Sequence, residues 1–232
     1  LNDTNLPELI SQIKKQQSLL KGQLDIEQKS LSELAKRLWA QQESEKAQLS
    51  RDLHDGVGQL LTGLTRRLEG LAKDQPNLAE LVHISQLALA DVRQLSRLMS
   101  PTILDDLGLE SALKWLCRSL FENENISLTQ RINLNITPSK ELGILVFRIA
   151  QESLVNMLKY ANAQEAQVFL SSHHNTIRLD IIDDGIGFDK QTVENGIGLR
   201  SMQDRARAFD ASLDIISTIN KGTRITLTVG VT

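Results

Sequence analysis

The chain has little of several things that fix a protein's class. Aromatic residues make up 3% of 232, prolines number four, there is one cysteine, and positive charge is not in excess, with 26 Lys and Arg against 29 Asp and Glu. The lone Cys117 excludes an internal disulfide framework and a zinc site built from cysteines, and it suits a reducing compartment. Its setting, the apolar run ALKWLCRSLF, reads as core, where a free thiol packs as a small hydrophobe. No run approaches the ~20 apolar residues of a membrane-spanning helix and no secretory signal is evident, so the chain as it stands reads as soluble. A net charge of −3 removes the electrostatic case for nucleic acid, whose binders carry a basic face. What is present is abundant leucine with 24% charged residues, the composition of helices packed by aliphatic side chains. The sequence opens on leucine rather than methionine, which leaves room for an upstream segment, a membrane sensor included.

From Ile10, apolar residues recur at Ile13, Leu20, Leu24, Leu31, Leu34 and Leu38, with Gln17 and Glu27 at the intervening seam positions. This is a two-stranded coiled-coil pattern. The repeat fails over WAQQESEKAQ and a seam resumes at Leu49, Leu53, Val57, Leu60, Leu64 and Leu68; the eleven-residue step from Leu38 to Leu49 reads as a stutter. A merely solvated helix is the bland alternative to a signalling helix that enters a bundle. AKDQPN then supplies a turn, because proline cannot continue a helix, and LAELVHISQLALADVRQLSRLM is a second amphipathic run that stops before Pro101. A two-helix hairpin leaves its apolar stripe wet, and two hairpins make a four-helix bundle, so a homodimer is expected.

The pattern changes beyond residue 101. LGLESALKWLCRSLFENEN reads as a helix, ISLTQRI as a strand, and SKELGILVFRIAQESLVNMLKYA as a long helix with serine at its N-cap and glutamate close behind. AQVFLSS and TIRLDIID follow as strands, then a glycine-bearing loop, a short helix LRSMQDRARAF, and the strands SLDIIST and TRITLTVGV. This order predicts an α+β layer fold, a sheet covered on one face by helices. The division of the chain is expected at 1–38 for a coiled-coil helix, 39–102 for a helical hairpin and 103–232 for the mixed domain.

Three places carry chemistry. In SRDLHDGVGQLLTGL, His54 lies between Ser50 and Gly58 on a helical stripe, small flanks that would leave the ring open to a bulky reactant. Asp55 beside it can take the proton of one imidazole nitrogen and leave the other as a nucleophile, and Gln59 one turn on can orient a water. The bland alternative is a solvated stripe with an incidental histidine; His83, His173 and His174 lack such neighbours and read as bland. QESLVNMLKYA sets Glu152, Asn156 and Lys159 on one helix face, offering an oxygen ligand for Mg²⁺ and point charge for phosphate. A polar helix face with an internal hydrogen bond is the alternative there. DDGIGFD and NGIGLRSM supply glycines that let backbone approach phosphates and a helix N-terminus with free amides, although GIGLRS is neither a dinucleotide fingerprint nor a Walker A loop.

Together these stretches resemble a two-component sensor histidine kinase of the subclass that partners NarL-type response regulators. RDLHDGVGQ resembles its phosphoacceptor box, QESLVNMLKYA the N box, DDGIGF the G1 box, GIGL the G2 box, KGT the terminal Gly-Thr, and SPTILDDLGLESAL the interdomain link. The resemblance covers about residues 40 to 230. It implies a dimeric helical bundle followed by a Bergerat-type ATP-binding sandwich. It implies that His54 takes the γ-phosphoryl group of ATP, that Asp55 accepts its proton, and that Gln59 serves dephosphorylation of the regulator. Asp183 would bond the adenine amino group with Thr223 nearby, Asn156 would ligate Mg²⁺, Glu152 would be the polarising carboxylate, and Lys159 would lie near phosphate. Gly185, Gly187, Gly196 and Gly198, with Leu199, would shape the pocket and its lid. The implied setting is the cytoplasm, free or as the cytoplasmic part of an inner-membrane sensor, with a homodimer and a response regulator as partners and no nucleic acid.

Two departures stand out. Tyr160 occupies the place where the N box commonly has histidine, and AFDASLDI lacks the usual glycine pair. The lid, 188–195, is short and has no second aromatic. Rival readings are another enzyme on the same ATP sandwich, a scaffold that holds nucleotide without transferring it, and a ligand-free coiled-coil dimer.

Overall fold

A computed structural model describes residues 6–99, 102–189 and 197–231. Its N-terminal region is one long helical run: α1, Leu6–Asp52, passes through a π turn, Leu53–Gly58, into α2, Gln59–Ala72. A 3₁₀ turn at Pro76–Leu78 then reverses the chain into α3, Ala79–Met99. Proline at the first position of that turn fixes φ where no amide donor is needed.

The hairpin packs through small side chains. Ser50, Gly58 and Thr65 are buried on one side, and Ser85, Leu89 and Ser96 on the other. Ser50 Oγ donates to the Ser96 carbonyl at 2.8 Å and Ser96 Oγ to the Ser50 carbonyl at 3.0 Å, a reciprocal clasp that satisfies both hydroxyls in a dry contact. Leu53, Leu61 and Leu68 complete this stripe as half-buried residues. Leu53 to Gly58 is a step of five, where an α-helix would return to the same face after three or four; the π turn absorbs the extra residue.

The apolar seam read from the sequence lies outside this contact within the chain. Leu49, Val57, Leu60 and Leu64 are exposed, as are Ile10, Ile13, Leu20, Leu24, Leu31, Leu34 and Leu38 upstream. α1 runs regularly to Asp52 through the eleven-residue step from Leu38 to Leu49, and the departure from α geometry comes at Leu53–Gly58. Trp39, at the point where the heptads fail, is 8% exposed.

In the second region α4, Thr102–Phe121, is broken at Gly108, whose φ of 75° an L side chain would resist. Next come β1, Ser127–Ile132; α5, Lys140–Asn156; a second π turn, Met157–Ala161; and the strands β2, Glu165–His173, and β3, Thr176–Asp183. Helix α6, Ile197–Ala208, and strands β4, Ser212–Ser217, and β5, Thr223–Gly230, complete it. Ser139 caps α5 by accepting from the Leu142 amide at 3.3 Å. The strands form one sheet in the order β1-β2-β3-β5-β4, parallel only between β1 and β2.

Alternation decides which sheet face is covered. Val168, Leu170, Ile177, Leu179, Ile181 and Leu227 point into a core shared with Leu116 and Cys117 of α4, Leu145 and Ile149 of α5, and Met202 of α6. The intervening Arg178 and Asp180 pair with each other at 2.7 Å on the other face. The fold is the expected one, a helical region followed by an α/β sheet domain.

Candidate functional site

The C-terminal turn of α5, the π turn after it, the end of β3 and the starts of α6 and β5 surround a cleft of about 790 Å³, within the range of small-molecule sites. Glu152, Asn156, Lys159, Asp183, Gly187, Gly198, Leu199 and Thr223 all line it. Gly185 sits just behind, where a Cβ would run into the Ala161 carbonyl, and Gly196 lies outside the described residues, as does most of the lid. Tyr160, read as a departure within the N box, and Phe188, read as the end of the G1 box, also line the cleft, as does Ile225, which sequence reasoning missed.

Asp183 is 8% exposed at the end of β3. Its Oδ1 accepts from the Gly185 amide at 2.9 Å and the Thr223 amide at 3.2 Å. Burial pushes its carboxyl above the usual carboxylate range, against those two amides, which favour the charged form. Among the described residues Oδ2 accepts nothing, so it is the oxygen left for a ligand's donor. Gly222 brings β5 this close, since its φ of 79° turns the chain where a Cβ would overlap the Asp183 backbone. Thr223 Oγ1 and Ser217 Oγ lie 3.0 Å apart, and Ser217 also accepts from the Phe188 amide at 2.9 Å.

At the polar end, Asn156 Nδ2 donates to Glu152 Oε1 at 3.2 Å, which leaves Asn156 Oδ1 as the atom able to meet a cation. Gly198 at the start of α6 is pressed against Glu152, and any side chain there would displace the carboxylate. An amide oxygen beside a carboxylate, both hard donors and too few to fill a coordination sphere, suits Mg²⁺ that keeps water and phosphate as its other ligands. No cluster of three or more His, Cys, Asp or Glu stands ready for a metal ion among the described residues.

His54 lies elsewhere, in the π turn of the hairpin. Its Nδ1 is 3.1 Å from Asp55 Oδ1, and the two side chains are 63% and 66% exposed. The reason differs from the one read from the sequence. Ser50 and Gly58 do not flank the ring on an open stripe; both are buried against α3, and the extra residue of the π turn carries His54 outward while they stay inside. Gln59 follows at the first position of α2 and is exposed. No bundle residue lines the cleft. His83 is exposed on α3, and His173 and His174 meet edge-on at 4.1 Å at the β2–β3 turn.

Two domain families match in the order of these two sites: one described as "Histidine kinase" over residues 45–104, and one described as "Histidine kinase-, DNA gyrase B-, and HSP90-like ATPase" over residues 142–232. The chain belongs to the histidine kinase family. The oxygen sensor histidine kinase NreB of Staphylococcus carnosus is 34% identical over 201 residues, 82% of this chain and 58% of that relative. This histidine kinase chain thus spans little more than half the length of that protein. Among solved structures, the histidine kinase domain of the Erythrobacter litoralis EL346 blue-light activated histidine kinase superposes with a TM-score of 0.51 at 14% identity, over 82% of this chain and 94% of that one, a likeness of fold. The ATPase family match supports ATP as the ligand of the cleft.

Proposed function

We propose that the chain is an ATP-dependent protein histidine kinase of a two-component system, that His54 accepts the γ-phosphoryl group of ATP, and that an aspartate of a NarL-type response regulator then receives it. The observation that carries this is the exposed imidazole held 3.1 Å from Asp55 on a hairpin that shares its chain with an ATPase-type cleft. With its proton on Nδ1 facing Asp55, the ring offers the Nε2 lone pair to the γ-phosphorus. The bond from phosphorus to the β,γ-bridging oxygen breaks, ADP leaves, and the Nδ1 proton passes to the Asp55 carboxylate.

In the cleft Asp183 Oδ2 would accept from the adenine amino group beside Thr223, and Lys159 would face phosphate. Asn156, with Glu152 alongside, would hold Mg²⁺, which supplies charge neutralisation on the phosphates. Gly185, Gly187, Gly196, Gly198 and Leu199 would shape the wall and lid. Gln59, exposed one turn beyond His54, would orient water for dephosphorylation of the regulator. We divide the chain at 1–38, 39–102 and 103–232, and assign the exposed leucines of α1 to α3 to a homodimer seam. Because His54 is not among the residues of the cleft, the nucleotide domain must move for transfer.

Incubation with γ-labelled ATP and Mg²⁺ should give acid-labile label on the protein, and H54Q should abolish it while nucleotide binding persists. Full labelling of H54Q, or label that survives acid, would refute the assignment.

A further inference from the structure

Asp184 stands next to Asp183 where β3 leaves the sheet, and the proposed reaction gives it no part. It is exposed, yet its carboxylate is engaged. Asp184 Oδ1 accepts from the Gln164 amide at 2.8 Å and from the Glu165 amide at 2.9 Å, the two amides at the head of β2. The Glu165 amide above all, with the Gln164 amide beside it, holds this carboxyl below the ordinary carboxylate range. It is therefore ionised at neutral pH, and both bonds are charge-assisted.

These bonds join two segments that supply different walls of the cleft. The π turn at Met157–Ala161 contributes Lys159 and Tyr160, then runs through Asn162, at φ 49°, to Gln164. The end of β3 contributes Asp183 and Gly187. Backbone bonds lace the two together: the Ile186 amide donates to the Ala161 carbonyl at 2.7 Å, and the Asp184 amide to the Glu165 carbonyl at 3.4 Å. Among the described residues, Asp184 is the side chain whose hydrogen bonds cross from one segment to the other.

The crossing matters because Asp183 has one oxygen to spare. Its Oδ1 is held by the Gly185 and Thr223 amides, so the direction of Oδ2 follows from where the Gly185 amide sits. That amide belongs to the residue after Asp184. A hydrogen bond weakens steeply once its angle is lost, so a small swing of this turn would misdirect the acceptor.

We propose that Asp184 is a positioning residue for base selection: by clasping the two amides at the head of β2 it fixes the turn that aims Asp183 Oδ2, and so sets how strongly the cleft prefers adenine to the same purine without its amino group. The inference rests on the functional reading above, in which Oδ2 meets that amino group. Both clasped amides lie at the surface end of β2, where water can replace the carboxylate if it is removed. Loss of the clasp should therefore disturb aim more than folding.

The test compares the affinity of the full chain for Mg-ATP with its affinity for the magnesium complex of purine riboside triphosphate, which differs from ATP in lacking the amino group. Wild type should favour ATP. D184A, and D184S, whose hydroxyl stops one bond short of the amides, should lower that preference by about 10-fold, the worth of one hydrogen bond to a charged group, while affinity for the analogue holds. D184N keeps an oxygen able to accept from both amides and should retain the wild-type preference. An unchanged preference in D184A and D184S overturns the assignment, as does equal weakening of the two nucleotides, which marks a merely structural role. So does a D184N protein as impaired as D184A, since the charge and not the clasp would then be at work. A wild-type chain that binds both nucleotides equally refutes the adenine role of Asp183 and this proposal with it, whereas a wild-type preference that survives D184A refutes the role of Asp184 alone.

Discussion

The two regions of this chain bury different things. In the nucleotide domain the dry positions are large and apolar: Leu113, Phe147, Ile149, Leu179 and Leu227 are each no more than 1% exposed. Among the described residues up to Met99, the buried hydrophobics are Trp39 and Leu89, while Ser50, Thr65, Ser85 and Ser96 are buried beside them. A five-stranded sheet with three helices on one face encloses enough volume to close its own core. A two-helix hairpin does not, so serine and glycine bring its helices close and the leucines stay outside. The nucleotide domain closes its own core, and the hairpin leaves its leucines outside.

The sharpest way to break that comparison is to truncate one leucine in each region. Leu179→Ala should cost about 2–5 kcal/mol of nucleotide-domain stability, through lost transfer energy and the cavity left in a packed core. Denaturant midpoints followed by nucleotide binding would measure it. Leu64→Ala, at a position 48% exposed, should leave that midpoint where it is and weaken self-association, seen as a steeper concentration dependence of hairpin melting. Equal losses of nucleotide-domain stability from both would erase the distinction.

Glycines sharpen the same contrast at smaller scale. Gly222→Ala must hold an L side chain at φ 79° against the backbone of Asp183, so about 1–2 kcal/mol of strain is expected together with weaker ATP binding. Gly56→Ala, in the π turn, meets nothing within 4 Å. There the substitution should be neutral or stabilise the helix by up to ~1 kcal/mol. Paired thermal melts and nucleotide titrations would separate the two, and a Gly222→Ala protein with unaltered nucleotide affinity would contradict the role given to that turn.

What was legible in the sequence follows the same division. The strands declared themselves through period-two alternation, and the cleft through carboxylates and glycines whose spacing has few other uses. The residues missed there, Ser217 and Ile225, act through shape and through contacts between distant segments, and Gly222, read as half of the terminal Gly-Thr, acts by bringing β5 against Asp183. In the helical region the stripe packed within the chain is not apolar, so apolar pattern-reading picked out a different face. Ser32, Lys36, Trp39, Glu43, Lys46 and Ser50 keep a heptad rhythm in polar letters, and the leucines beside them keep a second rhythm that faces outward. A rhythm of position, scored without hydrophobicity, was the available signal. The π turn carried none, because the extra residue between Leu53 and Gly58 changes geometry without changing composition.

The smallest expected effect concerns the residue that opened the case for a closed core. Cys117 is 0% exposed, and burial pushes its thiol from 9.0 up to about 12. The unfolded chain therefore releases this proton at a lower pH than the folded one. Between those two values the folded state binds more protons, and stability must fall as pH rises. From about pH 8 to about pH 9.5 the loss from this one group is ~0.8 kcal/mol, fully absent below the lower value. Other groups titrate in the same range, so the measurement is a difference: urea midpoints of wild type and Cys117→Ala over that interval, with the wild-type slope the steeper. Parallel slopes would mean that the thiol meets water in the folded protein, and the contrast between a sealed sheet domain and an open hairpin would lose its most sensitive internal probe.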